Sequence, residues 1–307
     1  MKIVILDAFT ITQSDLSFDS LKQLDKVDKL TVYERTAPNE IAPRIEGYDM
    51  VLTSKCKLTE EIIKNARDLK YIGELATGYD NIDIKAAKAS NVTVTNIASY
   101  STQAVAQQTM SYILHYANDL TGYFKATRSG RWQESDDFCF FLSPSKSLTE
   151  LSLGIIGYGN IGRCVANIAK SFGMKVNSYS KNPTETLNSD IISLHCPLTK
   201  GNEKFVNKSF ISSLKDGAVL INTARGGLID ENDLKEALMS NKLAAAYLDV
   251  LSSEPPIENS LTELDNCFIT PHIAWGTHAA RARLIKLCEE NIKAYIEGSP
   301  SSISFLM

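Results

Sequence analysis

The sequence predicts an α/β protein built on two doubly wound parallel sheets. Three observations carry this expectation. Short β-branched runs alternate with helical patterns twice over along 307 residues, a length that suggests two domains. Those runs are near-continuous in apolar residues, as strands are when helices cover both faces of a parallel sheet. A glycine-rich turn of the form GxGxxG also falls between one such strand and the helical pattern after it.

The first series comprises KIVIL (2–6), LTVYE (30–34), MVLTS (50–54), YIGEL (71–75) and VTVTN (92–96). Between its third and fourth runs lies LTEEIIKNARDL (58–69), where Leu58, Ile62, Ile63 and Leu69 share a helical face. A long helix is expected from Thr102 to Leu120, with Val105, Met110, Ile113 and Leu114 on one side. Residues 121–147 read as irregular, rich in aromatics and too long for an ordinary loop, which suggests an arm packed on a second subunit. The second series is SLGIIG (152–157), KVNSYS (175–180), DIISLH (190–195), AVLINT (218–223), AAAYLDV (244–250) and CFITPH (267–272). A last helix, from Thr277 to Gly298, places Leu284, Leu287, Cys288, Ile292, Tyr295 and Ile296 at helical spacing. It is expected to return the chain to the first domain.

Composition narrows the partners. A net charge of -4 offers no long-range attraction to nucleic acid or to an anionic membrane face. No run approaches the ~18 apolar residues of a membrane span. The opening MKIVILDAFT reads as a strand rather than a signal peptide, and the six scattered cysteines form no CxxC pair, so reduced thiols and a cytoplasmic location are expected. No metal ligands are assigned.

GYGNIG, residues 157–162, follows the strand SLGIIG and opens the pattern IGRCVANIAKSFG, which ends in a helix-capping Gly173. In that context it reads as the phosphate loop of a dinucleotide-binding, or Rossmann, unit. Gly157 permits the turn, Gly159 lets the backbone approach a diphosphate, and Gly162 allows close helix–strand packing. Tyr158, Asn160 and Ile161 complete the set of candidate cofactor contacts in this loop. The acid that usually holds the ribose hydroxyls lies about 20 residues further on. Here that strand end is Tyr179-Ser180-Lys181. A carboxylate would repel a 2′-phosphate, whereas a hydroxyl and an ammonium welcome one. Ser180 and Lys181 therefore favour NADP, with NAD the alternative.

Ligands of open α/β sheets bind beyond the carboxyl ends of strands. The polar residues there are His195, Cys196, Arg225, Asp249, Glu254 and His272. Reduction of an oxo acid needs a cation for the carboxylate, a proton donor for the developing alkoxide and a group to tune that donor. Arg225 offers the planar fork. Histidine is the natural donor near neutral pH. His195, which precedes Cys-Pro at one strand end, and His272, which follows Thr-Pro at another, both suit it, and spacing does not separate them.

Taken together, GYGNIG, HCPLT (195–199), NTARGGLID (222–230), LDVLSSEPP (248–256) and PHIAWGTHAAR (271–281) resemble the D-2-hydroxyacid dehydrogenase family. LATGYDNID (75–83) and SYSTQAVAQQT (99–109) extend the resemblance over essentially the whole chain, closest to its glycerate dehydrogenase, or hydroxypyruvate reductase, branch. The resemblance implies that His272 is the catalytic acid and base, that Glu254 hydrogen-bonds it, and that Arg225 binds substrate. It makes Asp249 the holder of the nicotinamide carboxamide, with Thr223 and Ala224 as further cofactor contacts. It assigns substrate binding to Arg225, to the loop Leu75, Ala76, Thr77 and Gly78, and to nearby Lys55. It further implies a flavodoxin-like substrate domain of residues 1–100 plus 278–307, and a Rossmann cofactor domain of 101–277 with the active site in the cleft. The arm near 121–147 would serve a homodimer. The expected reaction is reduction of hydroxypyruvate or glyoxylate to the D-2-hydroxy acid. A nucleotide-sensing corepressor or scaffold on the same fold is the alternative. Two departures are visible: Glu150-Leu151-Ser152 replaces the usual approach to the cofactor strand, and the ribose acid is missing.

Overall fold

The computed structural model describes residues 1–143 and 145–299. The chain divides into two compact units, one comprising Met1–Ser101 and resuming at Gly276, the other Thr102–Trp275. Among the described residues, no helix is long and apolar enough to cross a membrane.

In the first unit, β1 (Lys2–Ile5), β2 (Lys29–Val32), β3 (Met50–Thr53), β4 (Tyr71–Glu74) and β5 (Thr93–Thr95) form a parallel sheet in the order β2-β1-β3-β4-β5. This is the flavodoxin-like order, which reverses at β1. Every residue of β3 and β4 is buried, which explains their largely apolar character, with Thr53 and Glu74 at the carboxyl ends. Val4, Val51, Ile72 and Val94 meet Leu58, Ile63 and Ala87 in one core. Helix Glu60–Asn65 is capped by Thr59, and helix Ile84–Ala89 by Asp83. The final helix, His278–Glu297, starts at the capping Thr277 and stops at Gly298, whose φ is +68°. It buries Leu284, Cys288 and Ile292 and sets Tyr295 against Tyr71. Buried Arg281 also donates to the Ile11 carbonyl and pairs with Asp15.

The second unit holds β6 (Ser152–Ile156), β7 (Lys175–Ser178), β8 (Ile191–Leu194), β9 (Ala218–Asn222), β10 (Leu243–Leu248) and β11 (Cys267–Ile269). They pair in parallel in the order β11-β10-β9-β8-β6-β7. The direction of winding reverses at β6, between β7 and β8, and such a switch point opens a crevice at the strand ends. One core lies under Ile192, Leu220, Ala246 and Leu248, and the other joins Leu153, Val219 and Tyr247 to the long helix Thr102–Asn118.

Two expectations for residues 102–147 are corrected. The long helix ends at Asn118 rather than Leu120, because Asp119 turns into left-handed backbone at φ +42°. Its carboxylate then accepts the Gly122 N–H and caps a second helix, Leu120–Arg128. A short acidic side chain tolerates that conformation by such local hydrogen bonding. The segment read as irregular thus opens with the rest of this helix, Thr121 to Arg128. Along it Leu120, Phe124, Trp132, Phe138 and Phe141 are exposed. Pro144 in that segment, and residues 300–307 of the expected substrate domain, lie outside the described residues.

Candidate active site

The glycine loop is built by close backbone approaches. Gly157 leaves β6 with φ +100°, and a Cβ there would stand 2.4 Å from the backbone of His195 and Cys196. Gly162, in the first turn of helix Asn160–Ser171, would place a Cβ 2.2 Å from the Gly157 carbonyl oxygen. Gly159 differs. It caps that helix, and a Cβ on it would meet nothing within 4 Å. Open space at a helix N-terminus, with no acidic residue in the first turn, suits a diphosphate. The residues present therefore fit a dinucleotide. Tyr158 and Ile161 pack onto the adjacent core, and Arg163 ties the loop by donating to the Asn160 side chain at 2.6 Å.

β7 stops at Ser178, so Ser180 and Lys181 stand exposed just beyond its end. The Ser178 and Ser180 hydroxyls lie 3.1 Å apart. Lys181 has no ion-pair partner among the described residues. Thr223 is buried after β9, its hydroxyl 3.3 Å from that of Thr109 on the long helix.

The chemistry gathers beyond β9, β10 and β11. Asn222 closes β9 with its side chain, which accepts the Ala224 N–H and donates to the Arg225 carbonyl. Arg225 donates to the Ala224 carbonyl at 2.8 Å. Next to it, Gly226 admits the Leu251 backbone so closely that a Cβ would stand 1.9 Å from the Leu251 carbonyl carbon. The Leu251 N–H in turn donates to Glu254 Oε1 at 2.8 Å. Glu254 Oε2 lies 2.6 Å from Nδ1 of His272, with both side chains partly exposed. Burial pushes the Glu254 carboxyl up, but the hydrogen bond and charge of His272, the Leu251 N–H and the Arg225 charge outweigh it and hold the group below its ordinary value. An ionised carboxylate only accepts, so Nδ1 carries the proton. Nε2, without a partner among the described residues, is left to exchange one with a ligand.

His272 itself occupies left-handed backbone, φ +53°, a conformation that L-residues adopt only when neighbours enforce it. Asp249 does so. Its backbone carbonyl accepts the His272 N–H. Its Oδ1 accepts the Thr270 hydroxyl at 2.5 Å and the Ile273 N–H at 2.9 Å, while Oδ2 accepts the Ala274 N–H at 2.9 Å. Oδ1 is filled and Oδ2 keeps one acceptor position. Tyr112 extends the network to Thr270.

The structure separates the two competing histidines. His195 Nε2 lies 2.9 Å from the Ser193 hydroxyl, while its Nδ1 is buried with no hydrogen-bond partner. Burial pushes its pKa down to about 4, so it is neutral near pH 7 and has no carboxylate to tune it. His115 bridges Tyr247 and Thr121, a packing role.

The remaining expected substrate contacts belong to the first unit. Leu75 donates to the Thr53 carbonyl, and the carbonyls of Ala76 and Thr77 accept from Ile97 and Asn96. The N–H groups of Ala76, Thr77 and Gly78 have no acceptor among the described residues. Lys55 is exposed on the neighbouring turn. Sequence reasoning did not single out Asn222, Thr270, Asn81 or Asp7. Only Asn222 had a signal, since it opens the NTARGG run.

A parallel sheet with a glycine loop at its switch point, and an Arg–Glu–His set beyond its strand ends, suits a nucleotide-dependent oxidoreductase. The model of the D-isomer specific 2-hydroxyacid dehydrogenase NAD binding domain matches residues 110–274. The chain is 37% identical to a hydroxypyruvate reductase of Blautia hydrogenotrophica, over 99% of each chain. It is 34% identical to a glycerate dehydrogenase of Methylorubrum extorquens, over 88% of this chain and 90% of that one. A solved acyclic imino acid reductase in complex with NADPH and D-Arg shares the fold at a TM-score of 0.87 and 29% identity, over 99% of each chain. The chain belongs to the D-isomer specific 2-hydroxyacid dehydrogenase family.

Proposed function

We propose that the protein reduces a short 2-oxo acid, hydroxypyruvate or glyoxylate, to the D-2-hydroxy acid. The observation that carries this reading is the 2.6 Å Glu254–His272 pair, on a sheet that also bears Arg225 and the phosphate loop. The names of the two relatives support the choice of substrate. A bound nicotinamide dinucleotide supplies the hydride. The chain does the rest. His272 Nε2 gives a proton to the carbonyl oxygen as charge builds there. The Arg225 fork binds the carboxylate and polarises the carbonyl. Glu254 orients the ring by accepting the Nδ1 proton. The N–H groups of Ala76, Thr77 and Gly78, with Lys55, are read as a further carboxylate contact.

NADPH is the favoured cofactor, held by Gly157–Gly162, Ser180 and Lys181, with Thr223, Ala224 and Asp249 toward the nicotinamide. The support is the missing ribose acid, the unpaired Lys181, and the NADPH carried by the imino acid reductase. The exposed aromatics of residues 120–141 suit a homodimer contact, and a monomer by sedimentation would overturn that assignment. A cytoplasmic location accords with six free thiols.

The test is loss of nicotinamide absorbance with hydroxypyruvate and glyoxylate, using NADPH and NADH. Turnover is expected, and His272→Ala should lower kcat by roughly 10²–10⁴ while the protein stays folded. Near-normal turnover by that variant would remove His272 from the mechanism. Cofactor binding without turnover of any 2-oxo acid would point to a sensor instead.

A further inference from the structure

We infer that Asp7 is a positioning residue for substrate binding: it holds the turn Ser54–Cys56 so that Lys55 is presented as a fixed anion contact. This rests on the reading of the substrate site above. Asp7 follows β1 and is fully buried. It has no ion-pair partner among the described residues. A buried carboxylate is costly unless its oxygens are satisfied. Here every donor comes from one turn. Oδ1 accepts the Ser54 N–H at 2.9 Å. Oδ2 accepts the Lys55 N–H at 2.8 Å, the Cys56 N–H at 3.1 Å and the Thr53 hydroxyl at 2.9 Å. Thr53 Oγ1 accepts the Cys56 N–H in return.

Topology explains why that turn matters. β1 and β3 flank the point where this sheet reverses its winding, and ligands of open α/β sheets sit at such points. Thr53 pairs with Glu74 in register, so the Ser54–Cys56 turn and the Leu75–Gly78 loop leave neighbouring strands at the same end. Asn81 joins them, donating to the Cys56 carbonyl at 3.2 Å and to Glu74 Oε2 at 2.9 Å. With three successive N–H groups drawn inward to Asp7, the Lys55 side chain is left exposed, without an ion-pair partner among the described residues. A turn pinned from below keeps that long side chain's stem in place, which lowers the ordering cost of binding an anion.

The experiment compares wild type, Asp7→Asn, Lys55→Met and the double variant with hydroxypyruvate and NADPH. In Asp7→Asn an amide N–H faces the donors of the turn and releases it. The expected result is a KM for hydroxypyruvate raised about tenfold in each single variant, as for loss of one charge-assisted contact. kcat and the KM for NADPH should stay within about twofold, the signature of lost uniform binding. The double variant should be no worse than either single one. A lower Tm with unchanged KM, or effects that multiply in the double variant, would overturn the inference. If Asp7→Asn does not fold, Thr53→Val decides in its place: it removes one hydroxyl from the network, and an unchanged KM sinks the proposal. No turnover by wild type with any 2-oxo acid defeats the functional reading itself, and this inference with it.

Discussion

Glu254 Oε2 and His272 Nδ1 meet at 2.6 Å across a loop in which His272 holds a left-handed backbone. The Glu254 carboxyl is held below its ordinary value of 4.5, chiefly by His272 against the opposing effect of burial. A depressed folded-state value means that the pair stabilises the protein above the unfolded value and loses that effect as pH falls through the folded one. Glu254→Gln is therefore expected to lower Tm at pH 7, with the gap to wild type closing as pH drops below 4.5. Thermal melts across that range check it. A gap that widened in acid would contradict the assignment.

Gly159 and Gly162 should respond oppositely to the same added methyl. A Cβ on Gly159 meets nothing within 4 Å, while one on Gly162 strikes the Gly157 carbonyl at 2.2 Å. Gly159→Ala should keep its Tm within about 1 °C, since open surface sites change stability little. It should nevertheless weaken dinucleotide binding about tenfold or more by filling the cradle. Gly162→Ala should lower Tm by several degrees, as overpacking costs about 1–3 kcal/mol. Calorimetry and nucleotide titration separate the two.

Cofactor choice is tested at Ser180. Ser180→Asp restores a carboxylate beyond β7, which repels a 2′-phosphate and accepts from ribose hydroxyls. The ratio of kcat/KM for NADPH over NADH should fall about tenfold or more, the size of one charge-assisted contact. An unchanged ratio would reduce Lys181 to a solvated charge.

Asp249 is expected to serve stability and turnover together. Asp249→Asn sets an amide N–H against one of three donors, Thr270, Ile273 or Ala274. The unsatisfied buried group should cost about 1–3 kcal/mol. kcat should fall with it, because the same carboxylate holds the His272 turn. Retained kcat in a destabilised variant would show that the turn keeps its shape without Asp249.

Much of this was legible beforehand. The alternation of Ile-, Val- and Leu-rich runs named the eleven strands of the described residues, since a strand covered on both faces is buried throughout and mostly apolar, as β3 and β9 are. GxGxxG was readable because its glycines answer local demands, a positive φ at Gly157 and a close backbone approach at Gly162. The helix break at Asp119 was not. It depends on one residue turning left-handed, and residues on either side of it have ordinary helical patterns.

The sequence by itself determined the fold class and the place of the glycine loop, because strand burial and glycine geometry are properties of short segments. Strand-end position alone left His195 and His272 equivalent, and only the resemblance to the family favoured His272. The tertiary structure supplies the physical difference between them. A histidine's protonation depends on the atoms around it, and those atoms arrive from other strands: Glu254 on Nδ1 of His272, apolar burial around Nδ1 of His195. Asp7 follows the same logic. In the sequence it is one acid after a strand, and its role emerges only when β3 delivers three N–H groups to its carboxylate.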